Sequence, residues 1–176
     1  MKNNSKKKLE NFWKKKSELI HWTKKPKKII NKKLFYTDGV LNASYNCLKK
    51  NIIDGLGDKT AIVYVDRNGL FLRLTYNELE NLVDHFINFL LNNFSKKELS
   101  SNIIAIHSSA NLVSSISMLA CAKLGITHCV LFEDLELKAI LKRIKVFKPD
   151  LILTRTNKYN KFLKKNGKQI FKISFK

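Results

Sequence analysis

From Asn102 onward the sequence alternates between short apolar runs and longer amphipathic ones, and this alternation restricts the fold more than any other feature. Asn102 to His107, Thr127 to Phe132 and Leu151 to Thr154 have the length and apolar content of buried strands, and Gln169 to Ile173 reads as a fourth. Between them, Asn111 to Leu124 and Leu135 to Phe147 read as helices, the first closed by Gly125, and Lys158 to Lys165 reads as a short helix ended by Asn166-Gly167. Strands separated by helices cannot pair as tight hairpins, so this order predicts βαβ crossovers and a parallel sheet covered on both faces. The fold class expected is α/β: three layers, with a partly parallel sheet and covering helices.

Upstream the pattern changes. Ala61 to Val65 and Leu70 to Leu74 flank Asp66-Arg67-Asn68-Gly69, an Asn-Gly signal for a hairpin. Thr75-Tyr76-Asn77-Glu78 follows with capping-box spacing and opens a helix whose apolar face carries Leu79, Leu82, Val83, Phe86, Leu90 and Leu91. Gly55-Leu56-Gly57 precedes a strand and reads as a turn. Nearer the start, Leu34 to Gly39 ends in an Asp-Gly turn signal, and Leu41 to Leu48 resumes helical spacing. Glu10 to Trp22 reads as a short amphipathic helix stopped by Pro26. The expected division is a basic leader, 1–33, followed by an incomplete α/β subdomain over 34–176.

The chain has 176 residues and a mass of 20.4 kDa, which suits one core. Its apolar stretches fall far below the roughly 20 residues needed to span a bilayer. Lys2, Lys6, Lys7 and Lys8 are not followed by an apolar segment of the secretory type, and three cysteines are too few and too uneven for a disulfide scaffold. A cytoplasmic protein is the expectation.

The net charge of +20 points first to nucleic acid or polyphosphate, but its distribution weakens that reading. Residues 1–33 hold thirteen lysines against Glu10 and Glu18, a balance of +11. Residues 138–176 hold eleven lysines and two arginines against Asp150, a balance of +12, while residues 34–137 carry eight basic and eleven acidic groups. Only four of the 34 cations are arginine, the residue that recognises phosphate and guanine in bidentate fashion. A basic module would therefore bind nucleic acid or polyphosphate non-specifically.

In an open parallel sheet, ligands sit beyond the carboxyl ends of the strands. Those loops hold His107-Ser108-Ser109, Glu133-Asp134 and Arg155-Thr156-Asn157, and no glycine-rich phosphate loop is present. Cys121, His128 and Cys129 lack zinc-site spacing and read as core residues, and His107 as a hydrogen-bonded loop residue. Glu133 and Asp134 are expected to cap the next helix, and Phe12, Trp13 and Trp22 to staple the leader onto the main core.

Several stretches together resemble the N-terminal segment of AMP-forming acetyl-CoA synthetases. They are Phe12-Trp13 with Trp22, Phe35 to Asn42 with Tyr45 to Leu48, Gly57 to Ile62, Leu74 to Leu79, Met118 to Phe132, and Arg143-Ile144 with Lys148 to Thr154. Coverage runs from about Leu9 to Thr154, and propionyl-CoA and acetoacetyl-CoA synthetases share much of the same region. The resemblance implies a chain forming the first portion of the large domain of an acetate–CoA ligase. Such an enzyme activates acetate with ATP as acetyl-AMP and passes the acyl group to coenzyme A, using Mg2+. It further implies that the phosphate loop, the ribose aspartate and the catalytic lysine lie beyond residue 176. No catalytic, ATP-binding or metal residue is carried over, and activity then requires downstream sequence or a second polypeptide. Two departures stand out. Glu133-Asp134-Leu135-Glu136 replaces the family's Gly-Gly-Phe-Ser. Asn160 and Leu163 stand where the family has its coenzyme A arginines, and the nearby Lys158, Lys161 and Lys164 are out of register.

Overall fold

A computed structural model describes residues 2–66, 68–95, 99, 101–155, 164 and 169–172. Helix α1 spans Lys2–Ser17, followed by the two-residue strands β1 (Ile30–Asn31) and β2 (Leu34–Phe35). Short helices α2 (Ala43–Cys47) and α3 (Lys49–Asn51) run into a wide π-type turn over Ile52–Leu56. Strands β3 (Thr60–Val65) and β4 (Phe71–Thr75) form the expected antiparallel hairpin. Helix α4 (Tyr76–Asn93) then precedes β5 (Ile103–His107), α5 (Leu112–Leu124), β6 (Thr127–Leu131), α6 (Leu137–Phe147), β7 (Leu151–Thr154) and β8 (Gln169–Lys172).

The four C-terminal strands form one parallel sheet in the order β6-β5-β7-β8. Alternation along each strand decides the layering. Ile104 and Ile106 of β5 and Leu151 and Leu153 of β7 pack with α4 and α5 on one face. Ala105 and Ile152, between them in sequence, pack with Ile140 and Ile144 of α6 on the other. Both faces of β5 and β7 are thus sealed, which is why these strands are continuously apolar.

Polar contacts set the ends of the elements. Thr75 Oγ1 accepts the Glu78 amide at 3.2 Å, and the Glu78 carboxylate accepts the Thr75 amide at 2.8 Å, so the capping box forms. Asn111 caps α5 in the same way with Ser114, and Gly125 closes it at φ 71°, a left-handed conformation that favours glycine. The Asp150 carboxylate accepts amides of Ser101 and Ile103, and Asn102 Nδ2 donates to the Gly125 carbonyl, tying together the amino ends of the parallel strands. Lys123 at the end of α5 bridges Glu80 and Asp84 of α4 at 2.7 and 2.6 Å. Burial works against its charge, and the two carboxylates outweigh it, holding its pKa above the usual lysine value.

The N-terminal segment departs from expectation in two ways. Its helix covers Lys2–Ser17 and stops well before Pro26, because Ser17 Oγ donates to the Lys14 carbonyl and the Trp22 indole donates to the Ser17 carbonyl, closing the last turn. Lysine favours helix without any apolar period, so the start of α1 leaves no periodic signal. The aromatics, moreover, form a satellite cluster instead of a staple onto the main core. Trp13 meets Phe12 and Phe35 edge-on, Trp22 tilts against Tyr36, and the Tyr36 hydroxyl donates to the Trp13 carbonyl at 2.7 Å. A Cβ on Gly39 would stand 2.6 Å from the Trp22 ring, so this cluster requires glycine there. Asn42 joins the segment to the domain by donating to the Ala122 and Lys123 carbonyls of α5.

The expected capping of α6 by Glu133 and Asp134 does not form. The N-cap residue is Glu136, without a side-chain cap bond, because a turn from Phe132 to Leu135 starts the helix two residues later than expected. The helix read over 158–165 lies outside the described residues apart from Lys164, and Ile173, read as the end of β8, lies outside them too.

Two predictions follow from these ends. Gly125→Ala forces a side chain into the left-handed region and is expected to cost about 1–2 kcal/mol of stability in denaturant unfolding. The capping bonds from Thr75 lower the Glu78 pKa, so its contribution is present above the ordinary carboxylate range and lost as pH falls through the depressed folded value. Acid unfolding of Glu78→Gln should accordingly show a shallower loss of stability than the parent chain.

Candidate functional site

At the carboxyl ends of β5, β6 and β7 the chain turns out of the sheet, and the polar residues predicted there divide into buried scaffolding and an open cleft. His107 and Thr154, ends of adjacent strands, are 1% exposed and lie 3.2 Å apart from Nδ1 to Oγ1. Ser108 follows β5, buried, with its amide donating to the Leu131 carbonyl. Asn111 Nδ2 donates to Ser108 Oγ at 2.8 Å and Ser109 Oγ at 3.0 Å, while its carbonyl accepts the hydroxyls of Ser114 and Ser115. These hydroxyls hold the β5–α5 turn. Their hydrogen bonds, to the Asn111 side chain and backbone carbonyl, orient a helix start.

The cleft beside this network has a volume of about 500 Å³. Its walls are apolar, from Ile62 and Tyr64 of β3, Met118 of α5, Val130 of β6 and Phe132, and its polar floor is the Ser108 to Ser115 turn. Residue patterning pointed to the loop sequence here and missed the β3 wall, because a hairpin forty residues upstream is brought to the sheet only by tertiary packing.

Cys121 and Cys129 do not form a site. Cys121 belongs to the core on the α4–α5 face, and Cys129 packs on the α6 face, so the sheet separates them. Burial pushes the Cys121 thiol up to about 12, and burial also raises Cys129 against the opposing effect of Arg143. Neither is poised as a thiolate at neutral pH. Among the described residues no three His, Cys, Asp or Glu side chains are placed to hold a metal ion, and no helix is long and apolar enough to cross a membrane. Glu133 is half-buried and Asp134 exposed beyond β6. Asn160 and Leu163, with Thr156 and Asn157, lie outside the described residues.

Comparison with known proteins gives two family matches in sequence order. The acetyl-coenzyme A synthetase N-terminus matches residues 1–47, and the AMP-binding enzyme family matches residues 50–174. The acetyl-coenzyme A synthetase of Cupriavidus metallidurans is 36% identical over 141 residues, covering 77% of this chain and 21% of that protein. The chloroplastic/glyoxysomal acetyl-coenzyme A synthetase of Arabidopsis thaliana is 38% identical over 121 residues, covering 68% of this chain and 16% of its own length. The crystal structure of CmiS6 shares the fold, with a TM-score of 0.52 and 21% identity over 63% of this chain and 25% of that one. The chain therefore belongs to the AMP-binding enzyme family and spans about a fifth of the length of the curated acetyl-CoA synthetases it matches.

Proposed function

We propose that the chain is the N-terminal portion of an acetate–CoA ligase and contributes scaffold, without reacting groups, to the ATP-dependent formation of acetyl-AMP and acetyl-CoA. The observation that carries this reading is the pair of family matches in order along one chain, together with 36% identity to an acetyl-CoA synthetase across 141 residues. ATP, Mg2+ and coenzyme A belong to the assembled enzyme. Among the described residues the seryl hydroxyls after β5 are committed to the start of α5, and the sequence holds no glycine-rich loop to cradle phosphates. At the places where the resemblance puts coenzyme A arginines stand the uncharged Asn160 and Leu163, so this chain is assigned no coenzyme A contact. The three thiols are free, which suits a cytoplasmic location.

Phosphoryl and adenylyl transfer depend on donors held in place where charge develops, and those donors must come from downstream sequence or from a second polypeptide. The test is acetate-dependent exchange of pyrophosphate into ATP. The purified chain alone is expected to give none, and the chain combined with the remainder of an acetyl-CoA synthetase is expected to give exchange with acetate in preference to propionate. Exchange by the isolated chain, or an assembly that prefers another acid, overturns the assignment.

A further inference from the structure

Helix α1 carries a short apolar strip bordered by lysines, and both are open to solvent. Leu9 and Phe12 are three positions apart and so share a face, where they are 48% and 51% exposed. Lys8 and Lys16 stand one turn to either side of Phe12, Lys15 lies three positions after it, and Lys6 lies three before Leu9. Four ammonium groups therefore frame the two side chains. All four lysines are exposed, and Lys16 Nζ lies 5.6 Å from the Phe12 ring centroid. Among the described residues none of the four is paired with a carboxylate. Glu10, the one acidic residue of α1, is turned about 100° from Leu9 around the helix and lies off the strip. On the inner side Trp13 meets Phe12 and Phe35 edge-on, each at 5.2 Å, and its carbonyl accepts the Tyr36 hydroxyl, so α1 is held to the segment behind it while Leu9 and Phe12 face outward. Anchoring through Trp13 gives no account of a leucine and a phenylalanine left exposed among lysines.

We infer that this face of α1 is a peripheral docking surface for anionic phospholipid, with the lysines at the headgroups and Leu9 and Phe12 at the boundary with the acyl chains. The inference goes beyond the ligase reading and does not depend on it. Charge complementarity selects the partner. Residues 1–33 hold thirteen lysines and no arginine, and lysine is drawn to a negatively charged bilayer surface without any demand for fixed geometry. A nucleic-acid face would call on guanidinium forks for phosphate and guanine. The apolar strip points the same way, since leucine offers no π face for a base to stack on and partitions readily into the acyl boundary. Placement along the helix completes the match. Leu9 and Phe12 lie in the middle of a 16-residue helix, with Lys6 to Lys8 before them and Lys14 to Lys16 after, so α1 can lie flat on a surface while the long lysine stems reach the headgroups at both ends. No helix among the described residues is long and apolar enough to cross a bilayer, and the contact inferred is with its surface alone.

The test measures co-flotation of the full chain at physiological salt with vesicles of equal parts phosphatidylglycerol and phosphatidylcholine, and with vesicles of phosphatidylcholine alone. Binding to the mixed vesicles is expected, weaker by about tenfold or more on the neutral ones. Phe12→Asn, and separately Lys8→Glu combined with Lys15→Glu, should each weaken binding to the mixed vesicles by about tenfold or more. Lys142→Glu combined with Lys145→Glu, exposed on α6, changes the net charge by the same amount and should leave binding within about twofold of the parent chain. Every substituted position is exposed, glutamate is as good a helix former as lysine, and circular dichroism checks that each variant folds. Failure to bind the mixed vesicles, equal binding to neutral ones, or an equal loss in the α6 pair overturns the inference. Full binding by Phe12→Asn means adsorption by charge alone, and release of the chain from vesicles by an equal mass of single-stranded RNA means a nucleic-acid surface; either result overturns it as well.

Discussion

Strand β5 is the constraint on which the other elements depend. It pairs with β6 on one side and β7 on the other, and its two faces are closed by α4 and α5 and by α6. A segment paired on both sides from Ile104 to His107, with its side chains sealed on both faces, cannot shift register without exposing Ile104 and Ile106 or burying unpaired amides. The contacts at its amino end, from Asp150 to the amides of Ser101 and Ile103, hold that register where the apolar runs begin. At its carboxyl end His107 meets Thr154, so even the first polar residues after the core bond to a neighbouring strand.

Around this strand the molecule divides between what is closed and what is open. The α4–α5 face is locked by Lys123 between Glu80 and Asp84, and by Asn42, which satisfies carbonyls at the end of α5. The hairpin and the outer end of β6 lack a comparable cover among the described residues, and Val63, Val65, Leu70, Phe71, Leu72 and Phe132 are exposed there, as are eight apolar residues of the N-terminal segment from Leu9 to Ile53. Exposed valine and phenylalanine on an unpaired hairpin are costly in an isolated domain and ordinary at an interior boundary of a larger one. The uneven burial therefore agrees with the family comparison, in which the chain corresponds to about a fifth of its relatives.

Lys6 to Lys8 and Lys14 to Lys16 of α1, like Lys138, Lys142 and Lys145 of α6, lie on exposed helix surfaces, where the long side chains are hydrated and serve helix formation. The β5–α5 turn, where a strand end, hydroxyls and a helix start converge, uses its polar groups on itself.

Much of the architecture was legible in the sequence, because local rules and burial agree along most of it. Short apolar runs and period-3.6 patterns located β5 to β7 and α4 to α6, Asn68-Gly69 located the hairpin, and Thr75 with Glu78 located a helix start, each through an interaction that spans only a few residues. Where lysine replaced apolar periodicity, as in α1, the local signal vanished, and acidic residues before α6 suggested a cap that the Phe132–Leu135 turn leaves out of position. Only tertiary structure decided that Cys121 and Cys129 face opposite sides of a sheet, that Trp13 packs on Phe35 and Trp22 on Tyr36, and that β3 comes to line a cleft with Met118 and Val130. Those outcomes depend on which elements become neighbours in space, and side-chain spacing within an element carries no information about its neighbours.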